Sequence, residues 1–418
     1  MGSGQRGGRA SQIRSGRTVN RRRSLDPRPS APAPCRAGAA RSRARRAGAG
    51  RCPARRGGEA EADQAAADRR EGDDPQHLPR RQPRTGDRSE VGRPFVEATG
   101  QILREVTAND FPVRAKGLAK EILGKEPDLV GLQEVAEWRT GPPSLETLLG
   151  GSKPHAETVR YDYLTELLAQ LNKGKKRYRA AVVEPEFDFE APADENGVAG
   201  DGPNSLIANA EINGRLTMRD VILAKVGADV KTTDPTKGHY KSLYSEEISG
   251  AKVTVTRGWA AVDATVNGST PFRFVDTHLE SFDPQTVTPS IRARQAAELV
   301  APDGPATSSL PVVLVGDLNS DTKTENPLTD GQAYATLVKA GMRERSTYEP
   351  LGCCLDTSLL AVGDGGAASQ FDHKVDHIMT RDPKQVKLVN SSVTGRSPRN
   401  GFWDSDHAGL FSTLKIYP

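Results

Sequence analysis

The chain has 418 residues and a formal charge of +4, room for two or three average domains or for one large α/β domain with an appendage. Residues 1–94 carry 23 Arg against 10 acidic residues, and taking that +13 from the total leaves residues 95–418 at −9. The basic balance therefore belongs to the N-terminal segment. No run approaches the eighteen or so apolar residues of a membrane span, and the lack of a Cys-x-x-Cys pair argues against a structural zinc site.

Residues 1–94 contain no Lys, Phe, Tyr or Trp. So little large apolar surface cannot offset the entropy of ordering, and the segment is expected to be disordered. It is open to three readings: an arginine-rich nucleic-acid arm, a transit-like presequence, or a coding sequence read out of frame. Arms and presequences mix lysine with arginine or carry an amphipathic apolar face. Exclusion of lysine beside heavy Arg, Ala, Gly and Pro is what GC-rich DNA yields out of frame, so we hypothesise a non-native origin; an intact reading frame with an RNA-binding phenotype would overturn it. No signal-peptide core is present, so the chain as written reads as soluble, with secretion open if a native N-terminus is missing. Cys35 and Cys52 fall in this segment. The body keeps only the adjacent Cys353-Cys354, read as two packed thiols rather than a vicinal disulfide.

From Asp110 the text becomes regular. Asp110 is expected to cap a helix through Phe111, Ala115, Leu118, Ala119 and Ile122, with Gly124 as its stop. The strand Asp128 to Val135 follows, ending in Gln133-Glu134. A helix from Tyr161 to Leu171 leads into a strand over 178–183, and residues 184–213 read as a long surface loop. Arg219 to Leu223 resumes a strand, with Arg219-Asp220 read as part of a salt-bridged strand in preference to a substrate contact, and 227–250 as a second mobile stretch. Lys252 to Thr256 and Gly258 to Val266 read as neighbouring strands, and Asn267-Gly268 as a tight turn into the strand Pro271 to Leu279. A helix over 289–300 precedes Pro311-Val-Val-Leu-Val-Gly-Asp-Leu-Asn-Ser-Asp321, whose apolar run suits a strand buried on both faces. Further expectations are a helix over 331–340, strands over 374–379 and 386–393, and a terminal strand over 408–416.

Polar groups gather where these strands end: Glu134, His278, Asp317 with Asn319, Asp376 with His377, and Asp406 with His407. Singly, each is more simply a capping or hydrogen-bonded residue. Jointly they match an α/β architecture that assembles its site outside strand ends.

In order, Leu132-Gln-Glu134, Asp276-Thr-His-Leu279, Gly316-Asp-Leu-Asn319, Val375-Asp-His-Ile378 and Ser405-Asp-His407 resemble the motifs of the endonuclease/exonuclease/phosphatase (DNase I-like) superfamily of metal-dependent phosphoesterases. The resemblance spans residues 95–418 and implies a four-layer sandwich, two mixed β-sheets between helices. It also implies an N-terminal strand bearing a metal-binding Asn, which this chain lacks: Asn109 follows no strand.

Phosphoester hydrolysis needs a deprotonated water in line with the leaving oxygen and positive charge beside the phosphoryl oxygens. A hard cation, Mg2+ or else Mn2+ or Ca2+, favours carboxylate oxygens, so Glu134 with Asp406 are the expected ligands. His407 suits a general base, with Asp376 carried over as the carboxylate on its other nitrogen. His278 would donate to a phosphate oxygen, and Asp317 and Asn319 would orient water or phosphate. Whether Asp317 or the His407-Asp376 pair takes the proton stays open. The expected partner is a phosphate-ester substrate, nuclease-like or sphingomyelinase-like in kind. Nucleic acid is disfavoured by the acidic body. The rival readings are a catalytically impaired member lacking its first strand and an arginine-arm RNA-binding protein.

Overall fold

The computed structural model describes residues 92–417, apart from 199–201, 203–206, 208–209, 228, 249–250, 283–287, 323–330, 356–369 and 383. The disorder expected for the N-terminal segment lies outside the described residues, except that 92–94 open the first helix. That helix, α1 (Gly92–Ala108), buries Val96, Gly100 and Leu103. In α2 (Phe111–Lys125) Asp110 occupies the N-cap but makes no side-chain cap bond, and Gly124 does not stop the helix. Glu126 does, in a left-handed conformation, its N–H donating to Ile122 O. α3 (Tyr163–Leu171) is capped by Asp162, whose carboxylate accepts from the amides of Leu164 and Thr165.

The first sheet contains β1 (Leu129–Leu132), β2 (Glu137–Gly141), β3 (Thr158–Asp162), β4 (Tyr178–Ala193) and β5 (Ile212–Lys225). Long β5 takes β1 and β2 end to end on one edge and β4 on the other, all antiparallel. The loop expected over 184–213 thus begins as strand, β4 continuing through Ala193. Two prolines and four acidic residues hide it from a propensity reading, yet among the described residues β4 pairs only with β5 and bulges at Pro185/Asp188, where a proline is tolerated. The mobile stretch expected over 227–250 likewise holds β6 (Val230–His239) and β7 (Tyr244–Ile248). β8 (Ala251–Val255) pairs with β7, not with its sequence neighbour β9 (Gly258–Val266).

β9 turns through Asn267 and Gly268, both at positive φ (51° and 70°) as a two-residue hairpin needs, into β10 (Phe272–His278). After α4 (Ile291–Leu299), β11 (Val312–Asp317) lies parallel to β10. α5 (Gln332–Lys339), β12 (Arg343–Glu344) and β13 (Asp376–Arg381) follow, and the second sheet runs β12-β13-β11-β10-β9-β6. β14 (Val386–Val393) and β15 (Leu410–Ile416) form a separate pair.

Three apolar clusters set the layers. Ala119, Leu167 and Leu171 of α2 and α3 pack on Val221 and Leu223 of the first sheet. Val182 and Ile222 of that sheet meet Val262, Phe272, Phe274 and Val313 of the second. Val275 and Leu314, pointing the other way from the second sheet, meet Ala296 and Leu299 of α4 and Leu337 of α5. The protein is therefore an α/β four-layer sandwich, as expected, although of the two sheets expected to be mixed the first is antiparallel throughout and only the second carries a parallel pair.

One stretch of the sandwich is open. Among the described residues β1 pairs only with β5 and β15 only with β14. A cavity of about 1590 Å³ lies between them, floored by Phe272, Phe274, Val313 and Val315 and roofed by Leu118 and Ile122 of α2. No helix among the described residues is long and apolar enough to cross a membrane.

Candidate active site

The second sheet sets three candidate residues in a row. Because β10 and β11 are parallel their C-terminal ends coincide, and His278 is in register with Asp317; antiparallel β13 starts there, with Asp376 opposite Asp317. Gly316 makes the row possible. It adopts φ 151°, and a Cβ there would lie 2.0 Å from the Thr277 carbonyl oxygen, so any side chain would force the two strands apart.

His407 reaches the row from the turn before β15. Its Nδ1 is 2.9 Å from Asp376 Oδ2, and ligand atoms of Asp317, Asp376 and His407 all lie within 4.8 Å of one another. Burial disfavours its charged form, but Asp376, with Asp317 and Asp406 adding to it, outweighs burial and lifts the imidazole pKa well above the usual value. Burial, with Asp376 adding repulsion, pushes the Asp317 carboxyl up to about 6.

His278 is held differently. Arg257 Nη1 donates to its Nδ1 at 2.8 Å, so the proton sits on Nε2, which points to Asp317 Oδ2 at 3.6 Å. Burial, then the charge of Arg257, keeps this imidazole neutral, its pKa well below normal. Arg257 gave no sequence signal beyond a lone arginine before a buried strand.

Glu134 follows the end of β1 and approaches His278 Nδ1 at 4.0 Å. It adopts φ 54°, and Asn319 φ 47°. Non-glycine residues held in this region cluster at functional sites, where surrounding structure over-determines them. Asn319 therefore does not continue the extended strand beyond Asp317. Its N–H donates to Asp317 Oδ1 and its side-chain amide to Leu279 O, pinning the end of β10. Gln133 ties the first motif to the second by donating to Asp276 Oδ1 at 2.5 Å.

Glu134, His278, Asp317, Asn319, Asp376, Asp406 and His407 all line one cleft, continuous with the cavity between β1 and β15. His377 is turned away from it: Nδ1 faces Glu344 Oε2 at 2.6 Å and Nε2 faces Ser320 O at 3.0 Å. Arg219 is the salt-bridged residue expected, reaching Asp162 and Glu137. Its neighbour Asp220 is fully buried beside Glu186, burial pushing both carboxyls up.

The donor set fits a hard divalent cation. Burial pushes Glu134 up to about 7, with Asp406 and Asp317 adding negative charge against it. Such crowded carboxylates favour a multiply charged cation bound through oxygen.

Cys353 and Cys354 are joined as a vicinal disulfide, against the expectation of two packed thiols.

No family model and no curated protein matches the chain. Its fold is similar to solved structures of endonuclease/exonuclease/phosphatase proteins. A mannosyl-6-phosphatase from Bacteroides thetaiotaomicron is 14% identical, with 74% of this chain and 94% of that one covered and a TM-score of 0.43. The endonuclease/exonuclease/phosphatase from Beutenbergia cavernae is 18% identical over 72% of this chain and 66% of its own, TM-score 0.44. D. rerio TDP2, complexed with a single-stranded DNA product, is 16% identical over 72% and 92%, TM-score 0.40. Likenesses at this level carry no functional weight, and the reading below rests on the groups in the cleft.

Proposed function

We propose that the chain is a divalent-metal-dependent phosphoester hydrolase of the endonuclease/exonuclease/phosphatase superfamily. One observation carries the reading: the row His278, Asp317, Asp376 across three adjacent strands, with His407 seated on Asp376. Four polar groups at one sheet edge are what in-line hydrolysis of a phosphoester requires.

Glu134 and Asp406 would hold Mg2+, which when bound supplies positive charge beside the phosphoryl oxygens. His278, its Nε2 proton fixed by Arg257, donates to a non-bridging oxygen. Asp317, its carboxyl pushed up to about 6, orients the attacking water and takes its proton, while His407, kept charged through Nδ1 by Asp376, sets positive charge beside the phosphoryl group. Asn319 keeps Asp317 and the end of β10 in place. The acidic body favours a compact phosphodiester or phosphomonoester over a long nucleic acid.

The test is turnover of bis-p-nitrophenyl phosphate with Mg2+, with EDTA, and by His407→Ala. Removing His407 or the cation should lower the rate by about 10²-fold or more. Equal rates in all three samples would instead support a second reading, an inert scaffold, which the cavity beside β1 favours because it leaves the Glu134 strand supported on one edge only.

A further inference from the structure

Asp376 holds only one face of His407. The other ring nitrogen, Nε2, faces sulfur, 3.6 Å from Cys353 Sγ and 3.6 Å from Cys354 Sγ. Backbone bonds hold the cysteines there. Leu355 N–H donates to Asp406 O at 3.0 Å and Ala408 N–H to Gly352 O at 2.7 Å, on either side of His407. Cys353 exchanges backbone hydrogen bonds with His373 behind it. Cys353 is buried while Cys354 is exposed and lines the cleft, so a reductant can reach the pair.

We propose that reduction of Cys353 and Cys354 creates, together with His407 Nε2, a three-ligand site for a thiophilic divalent cation of the zinc type, and that filling it withdraws His407 from hydrolysis. A dithiol breaks the S–S bond, giving up two electrons and two protons and leaving as its own disulfide. Cation binding then forms two sulfur bonds and one nitrogen bond, and releases the two thiol protons with any proton on Nε2. The spacing suits it. With zinc–sulfur bonds of about 2.3 Å and a zinc–nitrogen bond of about 2.0 Å, a tetrahedral centre sets nitrogen and sulfur roughly 3.6 Å apart. Both sulfurs already stand at that distance from Nε2. Only the sulfurs must part, to about 3.8 Å, once no bond joins them. Three protein ligands leave a fourth place, toward the cleft, for water. In the oxidised protein neither sulfur is a thiolate and the site does not exist.

Loss of hydrolysis rests on the role given to His407 above; metal capture does not. The probe is Co2+, added to full-length protein carrying Cys35→Ser and Cys52→Ser, reduced with dithiol and then desalted. One equivalent should bind with a thiolate-to-cobalt absorption band that Zn2+ abolishes. Oxidised protein should show no band, and His407→Ala should weaken binding by about tenfold or more. Absence of the band after reduction, or affinity unchanged in His407→Ala, overturns the site. Stoichiometric Zn2+ should stop Mg2+-supported turnover of the reduced enzyme and spare the oxidised one; capture without inhibition overturns the inhibitory half. If no redox state hydrolyses the ester, the hydrolase reading fails while the absorption result stands.

Discussion

β11 and β1 are both short apolar strands that deliver a carboxylate to the cleft, Asp317 from one and Glu134 just past the other, yet the fold treats them differently. β11 is hydrogen-bonded on both sides, by β10 and β13, and nearly all of it is buried. Among the described residues β1 is bonded on one side only, and all four of its residues are half-buried. In sequence both are apolar runs ending in polar residues. Neighbours, not residue type, decide whether an apolar run becomes a central strand.

The widest expected separation is in hydrogen exchange. Amides of β11 should exchange only on global unfolding, whereas β1 amides pointing away from β5 should exchange at least about 10³-fold faster through local opening. Comparable protection would mean that the edge of β1 is covered. A smaller contrast is expected in urea. Leu314→Ala, fully buried between β11 and the helices, should cost about 2–5 kcal/mol. Val130→Ala in β1 should cost less, roughly 1 kcal/mol, because its side chain is only partly buried. Equal losses would erase the distinction.

The smallest effect concerns Mg2+. The cation prefers ionised carboxylates, and the metal-free Glu134 carboxyl is held up to about 7. Affinity should therefore be full above that pH and fall by up to about tenfold per unit below it. Titration calorimetry at pH 8 and pH 6 measures this, and a flat affinity would remove Glu134 from the ligand set.

Much of the site was legible because strand-end polar residues follow apolar runs, and Asp317, Asp376 and His278 meet as that pattern requires. Other parts depend on pairings that local sequence does not encode. The β4 extension over Glu184 to Ala193 is polar and contains prolines, and only partnership with β5 makes it a strand. α1 follows in sequence an arginine-rich segment whose composition drowned its apolar positions Val96 and Leu103. Arg257 and the Cys353-Cys354 pair touch His278 and His407 across 21 and more than 50 residues, distances over which no spacing rule operates.

The parallel pairing of β10 with β11 has an evolutionary corollary. The spacing between His278 and Asp317 is gauged by the ladder itself, about 4.8 Å per strand step, and not by the thirty-odd residues of crossover that join them. That crossover can lengthen, shorten or drift in sequence while the gap between the two groups stays the same, so diversity accumulated there would retune what reaches the cleft without disturbing its chemistry.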